Sequence, residues 1–286
     1  MATQPSDRVR IAVVQNEPRL GAVEANRRQL LQDLESAADA GADLVVLPEC
    51  SLSGYMIESR EQALGWSEPA DGPTIRAVEG VCGRRGVGAI FGFLLAEGSR
   101  LFNACAVVAP GGLKALYRKT HLPAMGVDRF VDAGDRLAEV VELVGVRVGV
   151  LICYDGAFPE PARVLTLAGA ELLVLPTNWP AGAEPLADHM MACRAMENVV
   201  YTVAASRVGS EAGTRYIGGS AVYDPYGRTL TRGDDSTPMR LQATIEPALA
   251  RTKRIVRTSG TIDRIADRRP ELYGPLVEPV SHASRR

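Results

Sequence analysis

Aromatic residues are scarce in this chain: Phe, Trp and Tyr together make up 5% of its 286 residues. With 32 basic against 34 acidic residues the formal charge is only −2. Few rings to stack bases and no surplus of positive charge argue against a nucleic-acid binder. Lys and Arg gather only modestly, over 251–257 and 264–269, as a solvated helical face or a subunit contact does. No apolar run reaches the roughly 18 residues that a bilayer requires. Residues 1–10 lack the apolar core of a signal peptide. Cysteine is sparse too: five, scattered and without a CxxC pair, give neither a disulfide framework nor a zinc site. The expectation is a soluble protein of a reducing compartment, the cytoplasm.

What is abundant is apolar sequence in short, punctuated runs. At 46% hydrophobic the chain can bury one large core or two ordinary ones. Gly41-Ala42-Asp43-Leu44-Val45-Val46-Leu47-Pro48 nearly repeats as Gly169-Ala170-Glu171-Leu172-Leu173-Val174-Leu175-Pro176. Helix-like stretches over 26–40 and 159–168 precede these segments. Val9-Arg10-Ile11 and Val146-Arg147-Val148 lie further upstream, so strand–helix–strand occurs twice and indicates a duplication. Further strands fit 87–95, 103–109, 112–117, 199–207, 217–223, 228–231 and 239–244, with helices over 74–85, 185–198 and 247–256. Two mixed sheets, each with helices on one face, must bury their other faces against each other. That predicts a mixed α/β fold, a four-layer α-β-β-α sandwich forming one domain over 1–258. An irregular tail over 259–286 would spend Ile262, Ile265, Leu272 and Tyr273 on another surface, of this domain or of a second subunit.

Three segments carry chemistry. Cys153 ends the apolar run 146–152 where Phe158 and Pro159 open a helix. A thiol facing a helix N-terminus gains partial positive charge, which favours the thiolate. A lone cysteine at a strand end is otherwise a small buried hydrophobe. Glu49 ends the strand Leu44-Val45-Val46-Leu47, and Lys119 lies in the extended stretch Leu116-Tyr117-Arg118-Lys119-Thr120-His121. Carboxylate, ammonium and thiol together supply a base, an electrophile and a nucleophile.

These motifs resemble the nitrilase superfamily of carbon–nitrogen hydrolases. The markers run in family order: Leu47-Pro48-Glu49 with Gly54-Tyr55, then Tyr117-Arg118-Lys119-Thr120-His121-Leu122, then Ile152-Cys153-Tyr154-Asp155 with Phe158-Pro159-Glu160. Leu175-Pro176-Thr177-Asn178-Trp179-Pro180, Arg194-Ala195-Met196-Glu197-Asn198 and Gly218-Gly219-Ser220 with Asp224-Pro225-Tyr226-Gly227 follow. The resemblance implies the same sandwich, a Glu49–Lys119–Cys153 triad, homodimers or larger assemblies, and no metal or organic cofactor. In that chemistry Glu49, its pKa raised by burial, takes the thiol proton. Cys153 forms a thioester. Lys119 and the Tyr154 backbone N–H hold the oxyanion.

The chain departs from the family pattern in two places. Where relatives carry a second glutamate after the lysine, Asp128 is the only acid before Phe130, and Ser206 stands where asparagine is common. His121, with Asp128 or Asp155, would permit a Cys-His mechanism, but a hydrogen-bonded structural histidine is the expectation. Cys50 should point to the opposite side of its strand from Glu49, and His189, Glu160 and Arg129 read as bystanders. Tyr154-Asp155 after the nucleophile resembles the amidase and carbamoylase branches more than nitrile hydrolases. Tyr55, Phe130, Asn178 and Trp179 are the candidate substrate contacts, with Tyr154 beside them in an apolar wall and a loop over 53–66 as roof. A small linear amide is therefore the expected substrate. An N-carbamoyl compound is the alternative, a nitrile less so, and a catalytically retired binding protein the non-enzyme reading.

Overall fold

A computed structural model describes residues 8–278. Most of the N-terminal stretch read for a signal peptide, and the last eight residues of the tail, lie outside the described residues. The first half runs β1 (Val9–Gln15), α1 (Val23–Asp39), β2 (Leu44–Val46), α2 (Arg60–Gly65), α3 (Pro73–Arg85), β3 (Gly88–Glu97), β4 (Arg100–Ala109) and β5 (Gly112–Arg118). The second begins β6 (Val141–Leu143), β7 (Val146–Val150), α4 (Pro159–Leu167), β8 (Leu172–Thr177), α5 (Met191–Asn198) and β9 (Tyr201–Ser206). Then follow β10 (Val208–Glu211), β11 (Thr214–Ile217), β12 (Ala221–Tyr223), β13 (Thr229–Arg232), β14 (Met239–Ile245), α6 (Pro247–Arg251), β15 (Arg254–Arg257) and β16 (Gly260–Asp263). Among the described residues no helix is long and apolar enough to cross a membrane.

Two six-stranded sheets form, in the orders β14-β1-β2-β3-β4-β5 and β13-β12-β9-β8-β7-β6. Side chains alternate between two buried faces. Ile11, Val13, Leu44 and Val46 meet Val148, Val150, Leu172 and Val174 in one cluster between the sheets. Ala12, Val14, Val45 and Leu47 turn instead toward Leu30 and Leu34 of α1 and Val78 of α3. Leu173 and Leu175 pack with Leu165 of α4 and Met191 of α5. The strands read as unbroken apolar runs because both faces are covered. Each fully buried Leu, Ile or Val contributes about 1.5–3 kcal/mol. The four-layer α-β-β-α sandwich is as expected.

The internal repeat has a physical cause. Asp43 accepts the Arg10 N–H at 2.8 Å and an ion pair from the Arg10 guanidinium at 3.0 Å. Glu171 takes the Arg147 N–H at 3.0 Å and its guanidinium at 3.3 Å. Gly41 and Gly169, both at positive φ, leave room for those guanidinium groups, since a Cβ would lie 2.6 Å and 2.9 Å from them. The shared Arg and Gly-Ala-acid lettering is thus one clasp used twice, each time joining a parallel strand pair.

Several boundaries moved. The strand read over 217–223 breaks at Gly218 and Gly219, both at positive φ, and its ends pair in different sheets. The helix read over 185–198 begins with a π turn before α5. The one read over 247–256 stops at Arg251, and β15 pairs with β16 across the expected domain edge at Thr258. The tail is therefore not irregular at its start, because Ile255 is buried and anchors the hairpin. α2, β6 and β10 had no counterpart in the sequence reading.

Candidate active site

Glu49, Lys119 and Cys153 sit at the ends of strands from both sheets, and the local sequence bends each chain toward the same point. After β2 the backbone turns at Cys50, whose φ is +50°. The turn lies flat against β3 because position 92 is glycine: a Cβ there would stand 2.6 Å from the Glu49 Cα and 2.7 Å from the Cys50 N. Ser51 N–H then bonds the Gly92 carbonyl at 2.9 Å. Gly92→Ala must push this bend away, and a displacement near 1 Å costs about 100-fold in rate. Steady-state kcat of that variant checks the expectation. Cys50 does not point away as an alternating strand would place it. Its Sγ contacts Asn103 Oδ1 at 3.7 Å, within the same polar cluster.

The polar centre is closed from solvent. Lys119 Nζ donates to Glu49 Oε1 at 2.8 Å and to Asp128 Oδ2 at 2.5 Å, with all three side chains fully buried. Asn103 donates to Glu49 Oε1 at 2.7 Å and to Asp128 Oδ1 at 2.9 Å, and the Tyr55 hydroxyl donates to Asp128 Oδ2 at 2.7 Å. Asp128 reaches the lysine from a 3-10 turn, Gly126–Arg129, which brings the short acid inward. Two atoms keep capacity to spare. Glu49 Oε2 is buried with no partner among the described residues. An ammonium has three donors, and only two of Lys119's are used among the described residues.

Burial raises the Glu49 carboxyl above its ordinary range, against the pull of the Lys119 charge and with a further push from Asp128. Burial alone would lower Lys119, but the two carboxylates outweigh it and hold the ammonium charged. The Cys153 thiol is pushed up to about 12, chiefly by burial, then by the Glu49 charge, while Lys119 and the Asn178 N–H oppose this. The expectation of a thiolate stabilised by a helix N-terminus fails for this reason. α4 begins only at Pro159, and Cys153, at φ +44°, opens a separate 3-10 turn, Cys153–Ala157.

Asp155 ties that turn to the lysine segment. Its Oδ2 accepts from Ile152 N–H at 3.0 Å and the Tyr117 hydroxyl at 2.8 Å. Its Oδ1 accepts from Thr120 Oγ1 at 3.1 Å and His121 N–H at 3.0 Å, and lies 2.7 Å from His121 Nδ1. The His121 ring stacks on Phe158 at 4.3 Å, so it is held in a structural hydrogen-bonded setting. In Asp155→Asn one oxygen becomes a donor facing donors. At roughly 1–3 kcal/mol for each buried group left unpaired, stability should fall by about 3 kcal/mol or more, read as a lower melting temperature.

The expected substrate contacts separate. Asn178 is buried with both side-chain polar atoms unpartnered among the described residues. Tyr154 is 40% exposed and packs edge-on to Phe158. Tyr55 is committed to Asp128, and Trp179 packs in the core beneath the second sheet. Phe130 is half-buried under the exposed Arg129, 4.8 Å from its ring. The loop over 53–66 contains α2 and is pinned by Arg60 to Asp132 at 2.8 Å and to the Phe130 carbonyl at 2.7 Å. His189 and Glu160 are exposed. Ser206 exchanges bonds with Ser220, its N–H donating at 2.9 Å, and has no part in the cluster. Asn103 escaped the sequence reading, although a lone amide inside the apolar run 101–109 was its signal.

The family profile described as carbon-nitrogen hydrolase matches residues 10–255. The chain belongs to this family. A protein of Pyrococcus abyssi named nitrilase is 36% identical over 93% of this chain and 99% of its own length. An (R)-stereoselective amidase of Pseudomonas is 34% identical over 78% of this chain and 80% of its own. Among solved structures, an amidase of Nesterenkonia from the nitrilase superfamily superposes with a TM-score of 0.80 at 24% identity, over 96% of this chain and 98% of that one, and supports the fold. By family the chain is a carbon–nitrogen hydrolase.

Proposed function

We propose that this hydrolase cleaves the C–N bond of small linear amides, releasing ammonia and a carboxylic acid through a thioester on Cys153. The observation that carries this reading is the pair of spare atoms, Glu49 Oε2 and the third Lys119 donor, beside a thiol that is protonated at neutral pH. Glu49 takes the thiol proton as sulfur bonds to the carbonyl carbon. The Lys119 ammonium and the Tyr154 N–H hold the oxyanion that forms. The C–N bond then breaks, and Glu49 returns the proton to the departing amine. Water adds to the thioester with Glu49 again as base, and the thiol leaves with that proton. Asp128 serves as the second acid, keeping Lys119 charged and aimed.

The unpartnered Asn178 amide offers a donor and an acceptor to a carboxamide, and Phe158 with Tyr154 gives an apolar neighbour. An N-carbamoyl group presents the same carboxamide and is the alternative substrate, releasing carbon dioxide as well. The intact acid, lysine and thiol argue against a retired binding protein. A homodimer or larger homo-oligomer fits the apolar surface of Val164 and Leu167 on α4 and Met196 on α5, each more than 40% exposed. Five free cysteines suit the cytoplasm. The test is ammonia release from aliphatic and aromatic amides, N-carbamoyl compounds and nitriles, beside Cys153→Ala. Turnover confined to nitriles, or equal in the variant, would refute the reading.

A further inference from the structure

One buried ion pair lies outside the reacting groups. Arg207, just after β9, and Glu211, at the end of β10, are both closed from solvent and joined through Arg207 Nη1 and Glu211 Oε1. Arg207 also donates to the carbonyls of Pro18 at 3.0 Å and Val208 at 3.2 Å, and its guanidinium lies 4.4 Å above the Tyr216 ring. Desolvation offsets the attraction in such a pair, so stability alone is a weak reason for it. The other Glu211 oxygen accepts the N–H groups of Tyr55 at 2.9 Å and Met56 at 3.0 Å. Gly54, at φ +75°, lets that carboxylate sit against the backbone: a Cβ there would lie 2.4 Å from Glu211 Oε1. The next residue is Tyr55, whose hydroxyl donates to the Asp128 oxygen that also binds Lys119.

We propose that Arg207 and Glu211 are positioning residues, a latch by which the second half of the fold fixes the Tyr55 backbone and, through Tyr55 and Asp128, the lie of the Lys119 ammonium. The latch rests on the reading of Lys119 as the oxyanion donor. It gives a task to Gly54-Tyr55 and to Arg207, which the reaction itself leaves unexplained.

The test replaces the pair by apolar residues, Arg207→Met with Glu211→Leu, which removes the acceptor without leaving a buried charge. Exchange of the charges themselves is neutral or stabilising, but the Tyr55 and Met56 N–H groups and the Tyr216 hydroxyl lose their acceptor, so the melting temperature should fall while the protein still folds. Meanwhile kcat should fall by about 10- to 100-fold, with KM little changed. Arg207→Met with Glu211→Gln restores an acceptor for the Tyr55 and Met56 N–H groups and should recover most of kcat. A double-mutant cycle with Tyr55→Phe then decides the route. If the latch works through that hydroxyl, the combined variant loses about fivefold less than the product of the separate losses. Independent, multiplying losses, or no recovery with Gln, overturn the proposal. The cycle is also run on the rate at which a haloacetamide alkylates Cys153, which Lys119 assists electrostatically. A wild-type enzyme that is alkylated but hydrolyses no amide would refute the amide reading, and the alkylation cycle would still decide the latch by the same criterion. Should the Met/Leu pair not fold, Gly54→Ala, whose Cβ would stand 2.4 Å from Glu211 Oε1 and push the carboxylate off the Tyr55 backbone, carries the cycle in its place.

Discussion

Cys153→Ala should abolish amide hydrolysis, lowering kcat by on the order of 10⁴- to 10⁶-fold, as loss of a covalent nucleophile does elsewhere. The substitution isolates the sulfur. Position 153 holds a non-glycine residue at φ +44°, and alanine keeps the Cβ, so the turn meets the same backbone cost before and after. The hydrogen bonds that hold the turn go to the Asp155 carboxylate and not to the thiol, so the site should stay assembled. The variant should melt within a few degrees of wild type and still bind the substrate found by the ammonia panel, measured by calorimetry. A variant that retains a hundredth or more of the wild-type rate would remove the thioester from the mechanism. One that neither turns over nor binds would instead point to collapse of the turn.

Much of this was legible in the chain because strand ends announce themselves. Leu47-Pro48-Glu49 and Ile152-Cys153 each interrupt an apolar run that is buried on both faces, and the sandwich follows from having two such runs with helices between them. What sequence hid was the set of contacts that depend on bends. Asn103 looks like one polar residue in a strand until the positive-φ turn at Cys50 brings Glu49 over it. Asp155 reads as a motif letter, yet it accepts from residues 34–38 positions away on a separate strand end. The thiol was misjudged for a related reason. The sequence places a helix after Cys153 but does not show that a separate 3-10 turn intervenes and that burial, not a helix terminus, sets the proton affinity of the sulfur.

Glu49→Gln should separate proton transfer from nucleophilicity. Glutamine retains an oxygen for Lys119 and Asn103 but accepts no proton from sulfur, so kcat should drop by about 10²- to 10⁴-fold. The thiol responds the other way. The Glu49 charge is the second largest cause that raises it to about 12. Without that charge the pH midpoint for alkylation of Cys153 by a haloacetamide should move down, even as turnover falls. In the wild type, kcat/KM should rise with pH as Glu49 loses its proton, because only the carboxylate takes a proton from sulfur. Burial raises that carboxyl, so the limb should lie above the ordinary glutamate value of about 4.3. Stability carries the opposite sign. A carboxyl that holds its proton more tightly in the folded state favours folding below its unfolded pKa. That contribution is lost as pH rises through the folded value, and Glu49→Gln should flatten the loss. A wild-type profile with no acid limb above the ordinary glutamate value of about 4.3, or a glutamine variant that keeps the acid limb, would show that Glu49 is not the base.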